Sequence, residues 1–230
     1  MKDLNLYILE KLRINKNINF KTYNYHPENT KKLRSLIKKL LKERGKNADL
    51  NDIDTSEITN MSYLFEDLDP YKIDISEWNT SNVKDMKYIF CKCENFNSDL
   101  SKWNVSNVES MENMFKDCYD FNSDLSDWDV SNVKDMEFTF CGCKKFTSDL
   151  SKWKVSNVKN MEFMFNECED FNSDLSNWDV SNVTKMDWMF YKCKKFNSDL
   201  NKWNVSNVTN MDWIFNGCKS LKNKPTWYHE

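Results

Sequence analysis

The stretch Leu100-Ser-Lys-Trp-Asn-Val-Ser-Asn-Val-Glu-Ser-Met-Glu-Asn-Met-Phe-Lys-Asp-Cys-Tyr-Asp-Phe121 decides the fold predicted for this chain of 230 residues. Its tryptophan, its first methionine and its first phenylalanine recur with a period of 25 residues. A fixed period of this length is typical of repeat proteins, in which each unit buries its apolar side chains against its neighbours. The recurring positions are Trp78, Trp103, Trp128, Trp153, Trp178 and Trp203; Met61, Met86, Met111, Met136, Met161, Met186 and Met211; and Phe65, Phe90, Phe115, Phe140, Phe165, Phe190 and Phe215.

The spacing inside one unit predicts a strand and a helix. Four residues have the i, i+3, i+4, i+7 spacing of one face of a two-turn helix, namely Met111, Met114, Phe115 and Cys118. Ser110 stands directly before them and is a helix N-cap residue type. Residues 98–102 have room for one short strand. We therefore predict an α/β repeat solenoid over residues 49–228, with one short parallel strand and one short helix in each of seven repeats.

Residues 1–48 differ from the repeats in charge. Residues 1–46 hold 13 lysines and arginines against 4 acidic residues, whereas the remaining residues hold 20 against 32. An apolar stripe that includes Leu33, Ile37 and Leu40 predicts a helix from about residue 28 to residue 44, with Gly45 as its stop. A shorter helix over residues 4–12 and an extended stretch over residues 18–25 are also expected. We predict a helical N-terminal cap on the first repeat, and a basic arm for nucleic acid or an acidic surface is the alternative.

Cysteine usage bears on metal sites and on compartment. Six of the eight cysteines follow the 25-residue period, and that interval matches no zinc-binding pattern. Cys91 and Cys141 lie two repeats apart, roughly 10 Å by strand spacing, which is too far for a disulfide. We expect buried, reduced thiols, no metal and no other cofactor. Reduced thiols, together with the lack of a signal-peptide pattern or a membrane-spanning run in the sequence, predict a cytoplasmic protein.

An aromatic position lies two residues after each repeat methionine and points off the core face of the predicted helix. Six of its seven members are aromatic and are candidate partner-binding residues, because aromatic side chains are enriched at binding hot spots. Packing between neighbouring helices is the alternative. The aromatic members are Tyr63, Tyr88, Phe138, Phe163, Trp188 and Trp213, and Asn113 is the exception.

A second set of candidate residues is a periodic row of aspartates. Strand alternation would place them outward beside Leu100 and its equivalents, about 5 Å apart. Turn capping and pairing with lysines would explain them, and a cation site or a protein-binding site is the other interpretation. A regular row offers equivalent carboxylates rather than the two different environments that hydrolysis needs. The four candidates are Asp99, Asp124, Asp149 and Asp174.

The repeat motif also resembles a known family. The units are Trp128-Asp-Val-Ser-Asn-Val133 and Trp178-Asp-Val-Ser-Asn-Val-Thr-Lys-Met186, the latter followed by Met189-Phe190-x-x-Cys193-x-x-Phe196-Asn-Ser-Asp-Leu200. In these units the chain resembles the leucine-rich-repeat-like family known from BspA-type and mycoplasma lipoprotein-associated surface proteins. The resemblance covers about residues 49–228. It implies a leucine-rich-repeat-like fold without catalytic activity that serves binding or adhesion.

The repeats offer a long surface and bring no nucleophile, base and orienting group together in one place. We therefore predict a noncatalytic protein-binding repeat solenoid whose partner is another protein, not an enzyme. A nucleic-acid partner is disfavoured, membrane insertion is not expected, and the oligomeric state stays open. One alternative is an acidic inhibitor that occupies the nucleic-acid-binding site of another protein, such as a phage-defence enzyme. Another is direct nucleic-acid binding through the basic residues 31–44.

Overall fold

The structure is a computed structural model that describes residues 22–229. Within those residues it has one helix, α1, which spans Thr30–Arg44. The side chain of Asn29 caps its first turn by accepting the N–H of Lys32 at 3.0 Å. Gly45 ends it with a φ of 86°, a left-handed conformation that costs glycine little. The helix therefore starts two residues later than predicted and ends at the predicted residue.

Other expectations for the N-terminal region fall outside the described residues. This holds for the predicted helix over residues 4–12 and for residues 18–21, the first half of the predicted extended stretch over residues 18–25. The apolar stripe of α1, formed by Leu33, Ile37 and Leu40, is fully buried and belongs to the same core cluster as the repeats. The helix thus packs on the repeats through the face that the sequence predicts.

Each 25-residue unit is a chain of turns. In the unit quoted above, i+3 to i hydrogen bonds close turns over residues 100–103, 105–108, 111–114, 115–118 and 118–121. Side chains support several of these turns from just before them. Asp99 Oδ1, for example, accepts the N–H of Ser101 at 2.9 Å, and Asn104 Oδ1 accepts the N–H of Ser106 at 3.0 Å. Short local bonds of this kind fix the path of the chain around each unit.

The predicted repeat helix is wrong for the described residues. Asn113 and Asp117 have φ values of 55° and 61°, which a right-handed helix cannot contain. The N–H groups of Asn113 and Phe115 donate to carbonyls of the next repeat at 2.8 Å, instead of to their own chain four residues back. The i, i+3, i+4, i+7 spacing arises from two successive turns, each of which directs its first and last residue into the core.

The predicted strand over residues 98–102 is also replaced by a turn, which the N–H of Trp103 closes on the carbonyl of Leu100 at 3.0 Å. Parallel pairing occurs elsewhere, as single-residue bridges. One column of bridges joins Asn60, Asp85, Ser110, Asp135, Asn160, Lys185 and Asn210, and two more join Tyr25 to Ile53 and Asp49 to Asp74. The residue type taken for a helix N-cap therefore marks the bridge.

Neighbouring repeats are joined by a short ladder of main-chain bonds. Met136, Phe138 and Phe140 donate their N–H groups to carbonyls 24 residues further on, at 3.0, 2.9 and 2.9 Å. Because the bonds run from every second residue, they have the spacing of a parallel strand pair. We propose that the described repeats stack in this way as a solenoid.

The core consists of columns of equivalent side chains, and burial of the periodic tryptophans, methionines and phenylalanines is confirmed in the inner repeats. The six periodic tryptophans are 3–4% exposed, and Met111 and Phe115 are fully buried. Phe115 stacks on Phe140 of the next repeat with ring centroids 5.5 Å apart. Each indole N–H also donates to a leucine or isoleucine carbonyl of the preceding repeat, as Trp128 does to Leu100 at 3.1 Å and Trp103 does to Ile75 at 3.0 Å. Shape and hydrogen bonding therefore set the same register.

Helix α1 covers the first edge of the main-chain hydrogen bonds that join the repeats. Thr30 Oγ1 donates to the carbonyl of Asn60 at 2.5 Å. The guanidinium of Arg34 donates to the carbonyls of Tyr63 and Glu66, the latter at 2.9 Å. The equivalents of Asn60 and Glu66 in later repeats accept from the preceding repeat, and these two carbonyls have no preceding repeat to donate to them. The helix therefore supplies donors to main-chain groups as well as an apolar face.

Candidate partner-binding surface

The aromatic residues form a row at the surface, here called the aromatic ladder, which is exposed at its two ends and half-buried between them. Its members are Tyr63, Tyr88, Phe138, Phe163, Trp188 and Trp213. All six have φ between 53° and 60°. At Phe163 this conformation is held because its N–H donates to the carbonyl of Asp187 at 2.8 Å, while Met164 closes the surrounding turn on Met161. Met161 and Met164 are fully buried and Phe163 is half-buried, so the turn divides core from surface.

The ladder has a two-ring part and a four-ring part. Tyr63 stacks on Tyr88 with centroids 4.8 Å apart. Phe138, Phe163, Trp188 and Trp213 stack in sequence, with successive centroid distances of 4.4, 5.9 and 5.4 Å. Asn113, 4% exposed, separates the two parts. Trp213 is 54% exposed and Tyr63 is 46% exposed, so each end of the ladder presents an open ring.

Two side chains beside the four-ring part were not among the predicted site residues. Tyr191 packs against Trp188 with centroids 4.6 Å apart, and Lys116 Nζ lies 4.3 Å from the centroid of Phe138. Both stand three residues after a ladder position, and each closes the turn at that position: Tyr191 on Trp188, and Lys116 on Asn113. Their types vary from repeat to repeat, and the 25-residue period therefore gave no signal for them.

A column of carboxylates runs beside the ladder, one residue before each ladder position from Asn113 to Trp213. Its members are Glu112, Glu137, Glu162, Asp187 and Asp212, and Lys87 precedes them. These acids were not among the predicted site residues. Glu137 accepts from Asn160 Nδ2 at 3.0 Å, and Glu162 pairs with Lys185 Nζ at 3.0 Å. Burial and the neighbouring Glu162 raise the pKa of Glu137.

Asp187 is the exception in this column. It is 5% exposed, and its Oδ2 has no hydrogen-bond partner among the described residues. Its side chain is one methylene shorter than that of glutamate, and no bond joins it to Asn210, the counterpart of the partners used by Glu137 and Glu162. Burial and the carboxylates of Glu162 and Asp212 raise the pKa of Asp187. The ladder therefore runs beside a crowded acidic column.

At its other end the column is tied to the ladder by a hydrogen bond. The hydroxyl of Tyr88 donates to Glu112 Oε1 at 3.1 Å. Burial and this carboxylate together raise the pKa of Tyr88 to about 12. Lys87 also contacts Glu112, with Nζ 3.3 Å from Oε2. This end of the ladder is thus fixed by a charged network, whereas the Trp213 end has no such network among the described residues.

The predicted aspartate row is exposed and caps turns. Asp124, Asp149 and Asp174 each accept the N–H of the serine two residues later, at 2.9–3.0 Å. These main-chain donors lower the pKa values of the three carboxyls. Asp99 accepts from Ser101 in the same way. Among the described residues no contact joins the aspartate row to the ladder, so the ten predicted site residues form two separate surfaces.

A family model described as "Mycoplasma protein of unknown function, DUF285" matches residues 31–140 and 124–228. The chain belongs to this family. The two matched ranges of this DUF285 chain together include nearly all of α1 and all seven repeats. No match is found among curated proteins, and none among solved structures.

The cysteines of the DUF285 chain lie in its core. Cys118, Cys143, Cys168 and Cys193 are fully buried, and burial raises their pKa values. Each thiol donates to a phenylalanine carbonyl of the preceding repeat, as Cys118 does to Phe90 at 3.0 Å. Among residues 22–229 no group of three or more histidines, cysteines and acidic residues could hold a metal ion. No helix in that range is long and apolar enough to cross a membrane.

Proposed function

We propose that this chain is a noncatalytic protein-binding repeat solenoid of the BspA type, and that the four-ring part of the aromatic ladder contacts its partner. The observation that carries the proposal is the continuous stack of Phe138, Phe163, Trp188 and Trp213 at the surface. Aromatic side chains contribute most of the binding energy at many protein interfaces. Stacking and main-chain bonds already order these rings, so little side-chain entropy is lost on binding.

The proposal includes a reducing compartment, such as the cytoplasm, as the place where the protein works. Its support is the packing of the thiols. Fully buried cysteines that donate to main-chain carbonyls contribute to the core as small apolar groups, and none of the eight is joined in a disulfide.

The test is a triple substitution that removes the rings and keeps the backbone conformation. Asn113 shows that asparagine fits the ladder position at positive φ, so the variant is Phe163→Asn, Trp188→Asn and Trp213→Asn. We expect its affinity for a partner recovered from the native cell with the full chain to fall by about 100-fold or more, which is roughly 3 kcal/mol.

The matched control changes the other predicted surface. Asp124→Asn, Asp149→Asn and Asp174→Asn keep a side-chain oxygen for the turn N–H groups and remove three charges. We expect this variant to bind within about threefold of the wild type, a free-energy difference of roughly 0.6 kcal/mol. If the control loses affinity and the ladder variant does not, the aspartate row is the interface and the proposal fails.

The acidic column favours a second candidate, an inhibitor that occupies the nucleic-acid-binding site of another protein. Glu112, Glu137, Glu162, Asp187 and Asp212 form a line of negative charge beside the rings. Such a surface would compete with DNA or RNA for a basic channel, and its binding would weaken steeply with salt. Competition by duplex DNA in the same affinity measurement distinguishes it from the first candidate.

A further inference from the structure

The two edges of the repeat stack differ in how their main-chain groups are satisfied. Inside the stack, the N–H groups of Met186, Trp188, Phe190 and Lys192 donate to carbonyls of the next repeat at 2.7–3.0 Å. In the last repeat the equivalent donors are Met211, Trp213, Phe215 and Gly217, here called the terminal N–H row. Within the described part of the chain, no acceptor is bonded to any of these four. The terminal N–H row is therefore the unpaired edge of the main-chain hydrogen bonds that join the repeats.

The residues that follow the last repeat cover a different part of it. Trp227 stacks on Trp203 with centroids 6.4 Å apart, and its Nε1 donates to the carbonyl of Leu200 at 2.8 Å. Tyr228 packs edge-on against Phe215. These contacts extend the tryptophan column by one position. They leave the terminal N–H row open, and Trp213 remains 54% exposed.

Helix α1 occupies part of the opposite edge, which bears on what could pair with the terminal N–H row. Thr30 and Arg34 of α1 already donate to the carbonyls of Asn60, Tyr63 and Glu66. A second copy of this chain would have to offer the carbonyls of Asn60, Ser62, Leu64 and Glu66 to stack head to tail, and α1 already occupies the first and the last of these four. Helix α1 therefore opposes open-ended head-to-tail self-assembly, which favours another protein as the source of the acceptors for the terminal N–H row.

We propose that the terminal N–H row binds an extended segment of a partner protein, which pairs in parallel with the last repeat and continues the main-chain hydrogen bonds between repeats. The interface between successive repeats defines the chemistry of that segment. Its carbonyls at alternate residues accept the four N–H groups, and its side chains continue the columns of Met211, Trp213, Ile214 and Phe215. The segment is therefore apolar, any residue, aromatic, apolar, aromatic in order. This goes beyond the proposed function, because the partner is bound by main-chain N–H groups of the last repeat and not by the side chains of the aromatic ladder.

The test uses the full chain and the peptide Thr-Asn-Met-Asp-Trp-Ile-Phe-Asn, which has the sequence of residues 209–216. In the protein this segment presents its carbonyls to the preceding repeat, so the peptide carries the required spacing. Amide hydrogen exchange is followed by NMR. We expect the four amides of the terminal N–H row to exchange rapidly in the free chain and at least tenfold more slowly with saturating peptide. The amides of Met186 and Trp188, which are already paired, should not change.

A scrambled peptide of the same composition is the control and should give no protection. Slow exchange of the four amides in the free chain would overturn the proposal, because the edge would already be paired. Slowing that depends on protein concentration would assign the edge to a second copy, and a lack of slowing with peptide would show that the edge takes no strand. The double variant Phe163→Asn, Trp188→Asn leaves residues 211–217 unchanged, so peptide protection that persists in it while partner affinity is lost separates this proposal from the aromatic ladder.

Discussion

Replacement of Trp178 tests the packing of the repeats most sharply. Its ring is 4% exposed and stacks between Trp153 and Trp203, with centroids 6.5 Å away on both sides. A buried tryptophan removes up to about 250 Å² from water, which at about 25 cal/mol per Å² is roughly 6 kcal/mol as an upper bound. Neighbours fixed by main-chain bonds cannot close the hole. We therefore expect Trp178→Ala to lower the free energy of unfolding by about 3–5 kcal/mol.

The indole hydrogen bond can be separated from the packing. Trp178 Nε1 donates to the carbonyl of Leu150 at 3.0 Å, and that carbonyl also accepts the N–H of Trp153. Because the carbonyl keeps one partner, Trp178→Phe should cost only about 1–2 kcal/mol from the lost bond and the smaller ring. The matched surface control is Trp213→Ala, which should cost less than about 1 kcal/mol because Trp213 is 54% exposed.

The assay is urea unfolding followed by circular dichroism, with the free energy taken from linear extrapolation and the m-value compared with that of the wild type. A loss below about 1 kcal/mol for Trp178→Ala would refute the argument that a continuous tryptophan column holds the repeats together. An equal loss for Trp178→Ala and Trp213→Ala would also refute it.

Three further predictions concern a carboxylate, the cap and the thiols. The raised pKa of Asp187 means that this carboxyl binds its proton more readily in the folded state than in the unfolded state, so Asp187→Asn should be more stable than the wild type at pH 7, and the gain should shrink as the pH falls toward 4. Asp174→Asn should bring no such gain, because the pKa of Asp174 is lowered. Urea unfolding midpoints measured across this pH range check the sign of both effects. Arg34→Ala should lower the free energy of unfolding by about 1–3 kcal/mol and speed amide exchange in the first repeat, because the carbonyls of Tyr63 and Glu66 lose their donor. Unchanged amide exchange in the first repeat would count against the role of α1 as a cap. Thiol titration should find eight reactive groups after denaturation and slow reaction before it, since burial raises the pKa of every cysteine; fast native reaction or a count of two or fewer would contradict this.

The 25-residue period of the large apolar residues was sufficient to predict the tryptophan, methionine and phenylalanine columns of the core. Positions such as Trp103, Met111 and Phe115 recur because each column needs the same ring or thioether in every repeat, so periodicity and burial have one cause. The helix was predicted wrongly because its apolar spacing is shared by two consecutive turns. Two glycines indicated that the segment is not helical. Gly142 and Gly217 occupy the repeat position of Asp117, which has a positive φ, and glycine adopts positive φ readily.

The candidate surface was predictable in composition and not in detail. The recurrence of rings at positions such as Phe163 and Trp188 identified the ladder. Aromatic residues rarely adopt positive φ, and here the hydrogen bonds to the next repeat stabilise it. The acids beside the ladder have a spacing that also suits a helix N-terminus, so their place next to the rings required the folded path of the chain. The oxygen of Asp187 that has no hydrogen-bond partner results from aspartate being one methylene shorter than the glutamates of the column, and the repeat period does not predict it.

Hydroxyl-radical footprinting of the partner complex tests the central claim most directly, because it reports which exposed rings become covered. Trp213 and Tyr71 are 54% and 40% exposed, and only Trp213 belongs to the aromatic ladder. If the ladder binds the partner, oxidation of Trp213 falls at least several-fold in the complex while that of Tyr71 stays unchanged. Unchanged oxidation of Trp213 in a complex that protects Tyr71 would contradict the claim.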